Sequence, residues 1–159
     1  MEITTMAAGD LDEALALNTA CVPHVNQISR DELQWFSAHA TWARVAKIDG
    51  KLAGMLIGLR PGTRYKSPNY RWFCNHYDDF AYVDRVAVSE WARRRGVAES
   101  LYDCFAASQA DVRIMTCEVN LRPPNPGSMR FHLRMGFKQV GSLETNGGEK
   151  EVALMEKAL

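Results

Sequence analysis

No apolar run in this sequence approaches the roughly 20 residues needed to span a bilayer. Its opening, MEITTMAAGD, has neither a basic leader nor an apolar stretch of signal-peptide length, so a cytoplasmic protein is expected. Cysteine is sparse: Cys21, Cys74, Cys104 and Cys117 are scattered, with no C-x-x-C pair and no histidine at zinc spacing. Neither a metal cluster nor a disulfide framework is therefore expected, and the four read as reduced, mostly buried thiols. An excess of one charge is also missing. The 19 Lys and Arg residues are offset by 19 Asp and Glu, which argues against nucleic acid and membrane surfaces as partners. Internal repeats and low-complexity linkers are absent too, so one domain spanning residues 1–159 is expected. A chain this long can bury roughly 70% of its unfolded surface without covalent staples.

What is present is alternation between helix and strand patterns. A strand is expected at residues 2–6, then a helix opened by Asp10 as N-cap with Glu13 at its third position, and a second helix near 29–39 starting at Ser29. Residues 42–48 and 51–59 form a hairpin around Asp49-Gly50, the preferred two-residue turn. Residues 60–79 read as a long irregular loop broken by Pro61, Gly62, Pro68 and Asn69. Such a loop is uncommon unless functional; its aromatics either wall a binding pocket or plug the core beneath the connection. A strand follows at 80–88 and a helix in the second half of 89–108, with Val97, Leu101, Cys104, Phe105 and Ser108 at helical spacing. Then come a strand at 112–119, a helix opened by Asn125 with Pro126 in its first turn and closed near Met135-Gly136, and a final hairpin of strands 137–143 and 150–157. The order, with seven strands and about four helices, implies an α/β (mixed α+β) fold.

The chemistry concentrates where the strand ending Val86-Ala87-Val88 passes through Arg93-Arg94-Arg95-Gly96-Val97-Ala98 into a helix. A helix N-terminus presents unpaired N–H groups and partial positive charge, Gly96 removes a side chain where a ligand would approach, and the arginines add potential. Three cations at the start of a helix are misplaced for its dipole, which favours a binding role over a solvated basic run. A small phosphorylated ligand is expected. The Gly-Lys-Ser/Thr of a P-loop and the three glycines of a dinucleotide fingerprint are both missing.

This stretch resembles the acetyl-CoA-binding motif of the GNAT superfamily of N-acetyltransferases: Gln or Arg, two variable residues, Gly, one variable residue, then Gly or Ala. A second element, Asn125, Ser128 and Phe131-His132-Leu133-Arg134-Met135-Gly136-Phe137, is similar to the family's downstream helix. Segments such as NYRWF, YVDRVAV, TCEVN and PPNPGS are similar to a bacterial branch of the superfamily. The resemblance implies a mostly antiparallel mixed sheet whose central strands splay to admit acetyl-CoA. It implies that backbone groups of Val86, Ala87 and Val88 hold the pantetheine arm, that the amides of Arg93, Arg94, Arg95, Gly96, Val97 and Ala98 hold the pyrophosphate, and that Asn125 and Ser128 face the cofactor. The family's Tyr, general acid to the leaving thiolate, is replaced by His132. That residue shares a helical face with Asn125 and Ser128, so it reads either as the acid or as a buried structural histidine.

An alkyl amine is mostly protonated at neutral pH, so attack on a thioester needs a base. Glu118 and Asp84 are the candidates. Asp84 alternates with Tyr82, Val86 and Val88 on one strand face, where an unpaired charge would be costly; an ion pair with Arg85 or Arg113 is the plainer alternative. Tyr70 and Trp72 are the expected wall of the acceptor pocket. The implied activity is transfer of an acetyl group to the primary amine of a small molecule or peptide by direct attack in a ternary complex, with a homodimer left open and no metal required. A catalytically silent acyl-CoA-binding module on the same fold is the other reading, kept open by His132.

Overall fold

The structure is a computed structural model that describes all residues 1–159. Five helices and seven strands alternate along it: β1 Glu2–Thr5, α1 Leu11–Ala20, α2 Arg30–His39, β2 Trp42–Ile48, β3 Lys51–Leu59, α3 Pro68–His76, β4 Ala81–Val88, α4 Val97–Ser108, β5 Ile114–Arg122, α5 Pro126–Arg134, β6 Lys138–Thr145 and β7 Lys150–Ala158. The strand order is β1-β2-β3-β4-β5-β7-β6, mixed and mostly antiparallel as expected. No helix is long and apolar enough to cross a membrane. All four cysteines are free, but Cys74 and Cys104 are exposed, so the expectation of mostly buried thiols fails for half of them.

The chain groups into two compact units, Met1–Leu59 with Arg85–Ser108, and Arg60–Asp84 with Gln109–Leu159. In the first, β1, β2 and β3 form an antiparallel ladder, and the β2–β3 turn is Asp49-Gly50 with both residues left-handed, at φ 52° and 77°. Twist-matched turns of this kind need such angles at both positions. Ser29 caps α2 in a reciprocal box: its hydroxyl accepts the Glu32 N–H at 3.1 Å, and the Glu32 carboxylate accepts the Ser29 N–H at 2.7 Å.

The box expected at Asp10 is absent. A short 3₁₀ turn, Ala8–Asp10, precedes α1 and puts Asp10 in helical conformation. Its carboxylate reaches back to the Ala7 N–H at 2.9 Å and across to Lys47 Nζ at 2.6 Å.

The face of β3 that receives α4 carries glycine at two positions. A Cβ built on Gly54 would lie 2.8 Å from a Val97 methyl, and one on Gly58 would lie 2.3 Å from the Phe105 ring. The glycines let α4, with Val97, Leu101 and Phe105 inward and buried, seat against the strand. Cys104, also at helical spacing, points outward.

In the second unit, β4 and β5 pair in parallel over Ala81–Val83 and Met115–Cys117, β5 pairs antiparallel with β7, and β7 with β6. The segment expected to be an irregular loop holds α3. Ser67 accepts the Tyr70 N–H as cap and Pro68 occupies the first turn, where its missing N–H costs nothing. Proline and asparagine at 68–69 were breakers in the pattern but serve here as a helix start. Tyr70 and Phe73, one turn apart, are buried. Arg60 closes the base of this segment through Asp79 at 2.8 Å and Asp111 at 3.3 Å. The final hairpin turns through Asn146, Gly147 and Gly148, all left-handed.

Because the Gly58 contact is with a core ring, Gly58→Ala is expected to destabilise the fold by about 1–3 kcal/mol through overpacking. A lower urea midpoint with an unchanged slope checks it.

Candidate active site

In the first unit the site begins at the end of β4. Val86 and Val88 are half-buried, Ala87 buried, and a 3₁₀ turn, Glu90–Ala92, leads into Arg93. Arg94 and Gly96 are left-handed, at φ 59° and 76°. Alternating handedness of this sort turns successive N–H groups toward one place, a concave anion receptor. The Ser100 N–H bonds to the Gly96 carbonyl at 2.9 Å, so Gly96 is the N-cap of α4. A glycine cap has no side chain to satisfy the first amides, and those of Val97, Ala98 and Glu99 have no intrahelical acceptor.

Arg93, Arg94 and Arg95 are exposed around them, and a Cβ on Gly96 would meet nothing within 4 Å. A cavity of about 330 Å³ beside the turn is lined by Leu17, Cys21, Leu52, Val88, Trp91 and Arg93 among others. Exposed Trp91 lies there beneath two cations, Lys51 at 4.7 Å and Arg95 at 5.7 Å from the ring centre. Burial pushes the Cys21 thiol up, against the pull of Arg93 and of the Val88 backbone hydrogen bond. These donors and this open space fit a pyrophosphate-bearing ligand.

In the second unit the centre is Glu118, the first residue of β5 beyond the parallel pairs. The Tyr82 hydroxyl lies 3.0 Å from Oε1 and 2.8 Å from Oε2, and Asn69 Nδ2 donates to Oε1 at 3.1 Å. Crowding by protein atoms, then the like charge of Asp84, pushes the Glu118 carboxyl up to about 8; Tyr82, Asn69 and Lys150 pull the other way. The residue nonetheless remains half-buried rather than sealed, so a group crowded enough to hold its proton still has a way to exchange it. Tyr82 is fully buried, and burial with the neighbouring Glu118 and Asp84 carboxylates holds its phenol well above the usual range. It therefore stays a neutral donor.

The element that builds this arrangement is α3. Tyr70 and Phe73 pack on Tyr82 at 5.5 and 5.8 Å between ring centres, while Asn69 comes from the first turn. Tyr70 itself is 2% exposed and its hydroxyl donates to the Arg60 carbonyl at 2.8 Å, so it supports the site from within the core. Trp72 is half-buried, stacked on His76 and close against Gly141.

At α5, Asn125 Oδ1 accepts the Ser128 N–H at 3.2 Å, which leaves Nδ2 as its side-chain donor. His132 is 3% exposed; its Nδ1–H donates to the Ser128 carbonyl at 2.8 Å, and the ring packs edge-on to Phe131 and Phe137. Burial lowers its proton affinity, so the ring is neutral at pH 7.

Glu118 and Asp84 are thus brought into electrostatic contact, as are Asn125, Ser128 and His132 on one helical face. Tyr82 and Asn69 were missed. Tyr82 had a legible signal, its alternation with Asp84; Asn69 was hidden once residues 60–79 were read as loop.

A family model described as the acetyltransferase (GNAT) family matches residues 11–137. Among solved structures, Naa20 from Chaetomium thermophilum in complex with a bisubstrate analogue superposes with a TM-score of 0.78 at 20% identity, covering 100% of this chain and 87% of that one. The ribosomal-protein-S18-alanine N-acetyltransferase of Escherichia coli gives 0.73 at 15% identity, with 99% and 92% covered. Ard1 from Thermoplasma volcanium gives 0.78 at 17%, with 99% and 97% covered. No match to a curated protein sequence is found. At these identities the superpositions speak for the fold, and the family model spans most of the sequence: the chain belongs to the acetyltransferase (GNAT) family.

Proposed function

We propose that the chain moves the acetyl group of acetyl-CoA to a primary amine by direct attack in a ternary complex, with Glu118 as general base. The observation that carries this is a half-buried carboxyl, held by two neutral donors, whose proton affinity sits near neutral pH. A base is most effective when its pKa lies near the working pH. Asp84 contributes the charge that raises it, and Tyr82 holds its orientation.

Acetyl-CoA supplies an activated thioester. Toward it, the amides of Arg93 to Ala98 would bind pyrophosphate, backbone groups of Val86 to Val88 would align the pantetheine, and Asn125 and Ser128 would contact the cofactor. Residues 1–159 would then work as one acyltransferase domain. Four free thiols support a cytoplasmic setting.

Two of the similar structures are named for protein acceptors or bisubstrate binding, and a peptide N-terminus suits this base. An α-ammonium of pKa near 8 can pass its proton to Glu118 with little cost, whereas an alkylammonium near 10.4 must do so about two units uphill. In an acceptor panel at pH 7.5, read by release of free thiol from acetyl-CoA, peptide N-termini are expected to outpace polyamines and aminoglycosides. One observation favours the silent module, the buried neutral His132 in place of the family's Tyr. Binding of acetyl-CoA without thiol release on every acceptor would establish that reading instead.

Only ionised Glu118 accepts a proton, so kcat/KM should climb with pH and level off above about 8. Glu118→Gln should lower kcat by about 10²-fold or more and remove that limb. Gly96→Asp places a carboxylate where pyrophosphate would sit, and calorimetry should show loss of CoA binding with the fold intact; unchanged affinity sinks the cofactor assignment. For His132 the burial favours a structural role over the acid role. His132→Phe is expected to keep turnover within about twofold, where loss of a general acid would cost about 10²-fold.

A further inference from the structure

Asn69 is 7% exposed, and its side chain is used on one side only. Nδ2 donates to Glu118 Oε1 at 3.1 Å, while Oδ1, shut off from solvent, has no hydrogen-bond partner. The other buried side-chain atom in this condition is Thr116 Oγ1. Thr116 stands two residues before Glu118 on β5, hence on the same face of the strand, and is the register partner of Tyr82. Buried polar atoms are nearly always partnered, so two exceptions around one carboxyl call for an explanation. The polar layer holds more hydrogen-bonding capacity than a single protonation state of Glu118 uses.

A carboxylate can only accept, and the observed Asn69 orientation serves that state. A neutral carboxyl carries an O–H that needs an acceptor. The unused acceptor belongs to the same amide that already faces Oε1. A planar amide keeps nearly its own shape after a half-turn about Cβ–Cγ, a torsion with broad, roughly two-fold preferences. That turn exchanges nitrogen for oxygen without moving the backbone.

We propose that Asn69 is a positioning residue for Glu118 whose side-chain amide reverses with the proton: Nδ2–H donates to the carboxylate, and after a half-turn Oδ1 accepts the O–H of the neutral acid. The proton taken from the amine then rests in a bond between Glu118 and Asn69 until it leaves for solvent, and no other bond is made or broken in the exchange. The groups that face Glu118 are Tyr82 and Asp84 of β4, Asn69 of α3 and Lys150 of β7, with Tyr65 beyond Tyr82. Tyr82 stays protonated throughout. The catalytic relevance of the reversal rests on reading Glu118 as the base; the hydrogen-bond exchange itself does not.

NMR titration of the full chain, labelled at the Glu carboxyl carbon and the Asn side-chain amide, tests it without a variant. As pH falls through the Glu118 midpoint, through-space contacts between the Asn69 Nδ2 protons and the Glu118 side chain should disappear, and they should return when pH is raised. Contacts that persist at all pH values overturn the proposal. Asn69→Leu gives a second reading, because removing an amide that supports both protonation states raises the Glu118 proton affinity by no more than about threefold. A fixed donor to the carboxylate would instead raise that affinity about tenfold or more, which also defeats the proposal. Full activity of Glu118→Gln would remove the base reading while leaving the NMR result to stand by itself.

Discussion

The arrangement on which the second unit depends is a carboxyl held inside protein by donors that carry no charge. Glu118 meets Tyr82 and Asn69, with Asp84 as its like-charged neighbour. Had an Arg or Lys been set against Glu118 at ion-pair distance, its proton affinity would have dropped below the ordinary carboxylate range, and it would be a poor base. Neutral donors fix direction while leaving most of the desolvation penalty in place. Lys150 pulls in the same direction as these donors, but less than either hydrogen bond. The packing of α3 supports this arrangement: Tyr70 and Phe73 press on Tyr82, and Arg60 with Asp79 and Asp111 ties down the segment from which α3 starts.

The first unit solves a different electrostatic problem. The anion receptor proposed there would use backbone amides, which carry partial charges fixed in direction and need no counter-ion of their own. The fixing is done by φ at Arg94 and Gly96 and by the seat of α4 on Gly54 and Gly58. The glycines on β3 and the glycine at the cap therefore act at two distances on one feature, the first turn of α4. Zero net charge does not oppose this, because three of the 19 basic residues fall consecutively at that turn.

Most elements were legible because their signals are local. Asp49-Gly50 dictates its hairpin, Ser29 with Glu32 its helix start, and Asn125-Pro126 the start of α5. The Asp10 cap failed because the same residue types also serve a 3₁₀ turn, where the carboxylate takes the Ala7 N–H and Lys47, a residue 37 positions away. The segment 60–79 failed for a related reason. Pro68 both breaks and begins helices, and what decides is whether Tyr70 and Phe73 find a core to fill. The motif residues could be read from the pattern, but the pairing of Asn69 with Glu118, 49 residues apart, arises only on folding.

That distinction explains why His132 is the hardest residue to assign from the chain alone. A histidine on the same helical face as Asn125 and Ser128 has the right address for an acid, and its ordinary pKa near 6.5 has the right value. Folding changes both considerations. The Nδ1–H is taken up by the Ser128 carbonyl, Phe131 and Phe137 close on the ring, and burial lowers its proton affinity. Glu118 moves in the opposite sense under the same force, since burial disfavours whichever form is charged: it removes the proton from an imidazole and keeps it on a carboxyl. One physical effect thus separates the two candidates, lowering the proton affinity of the histidine and raising that of the glutamate toward neutral pH.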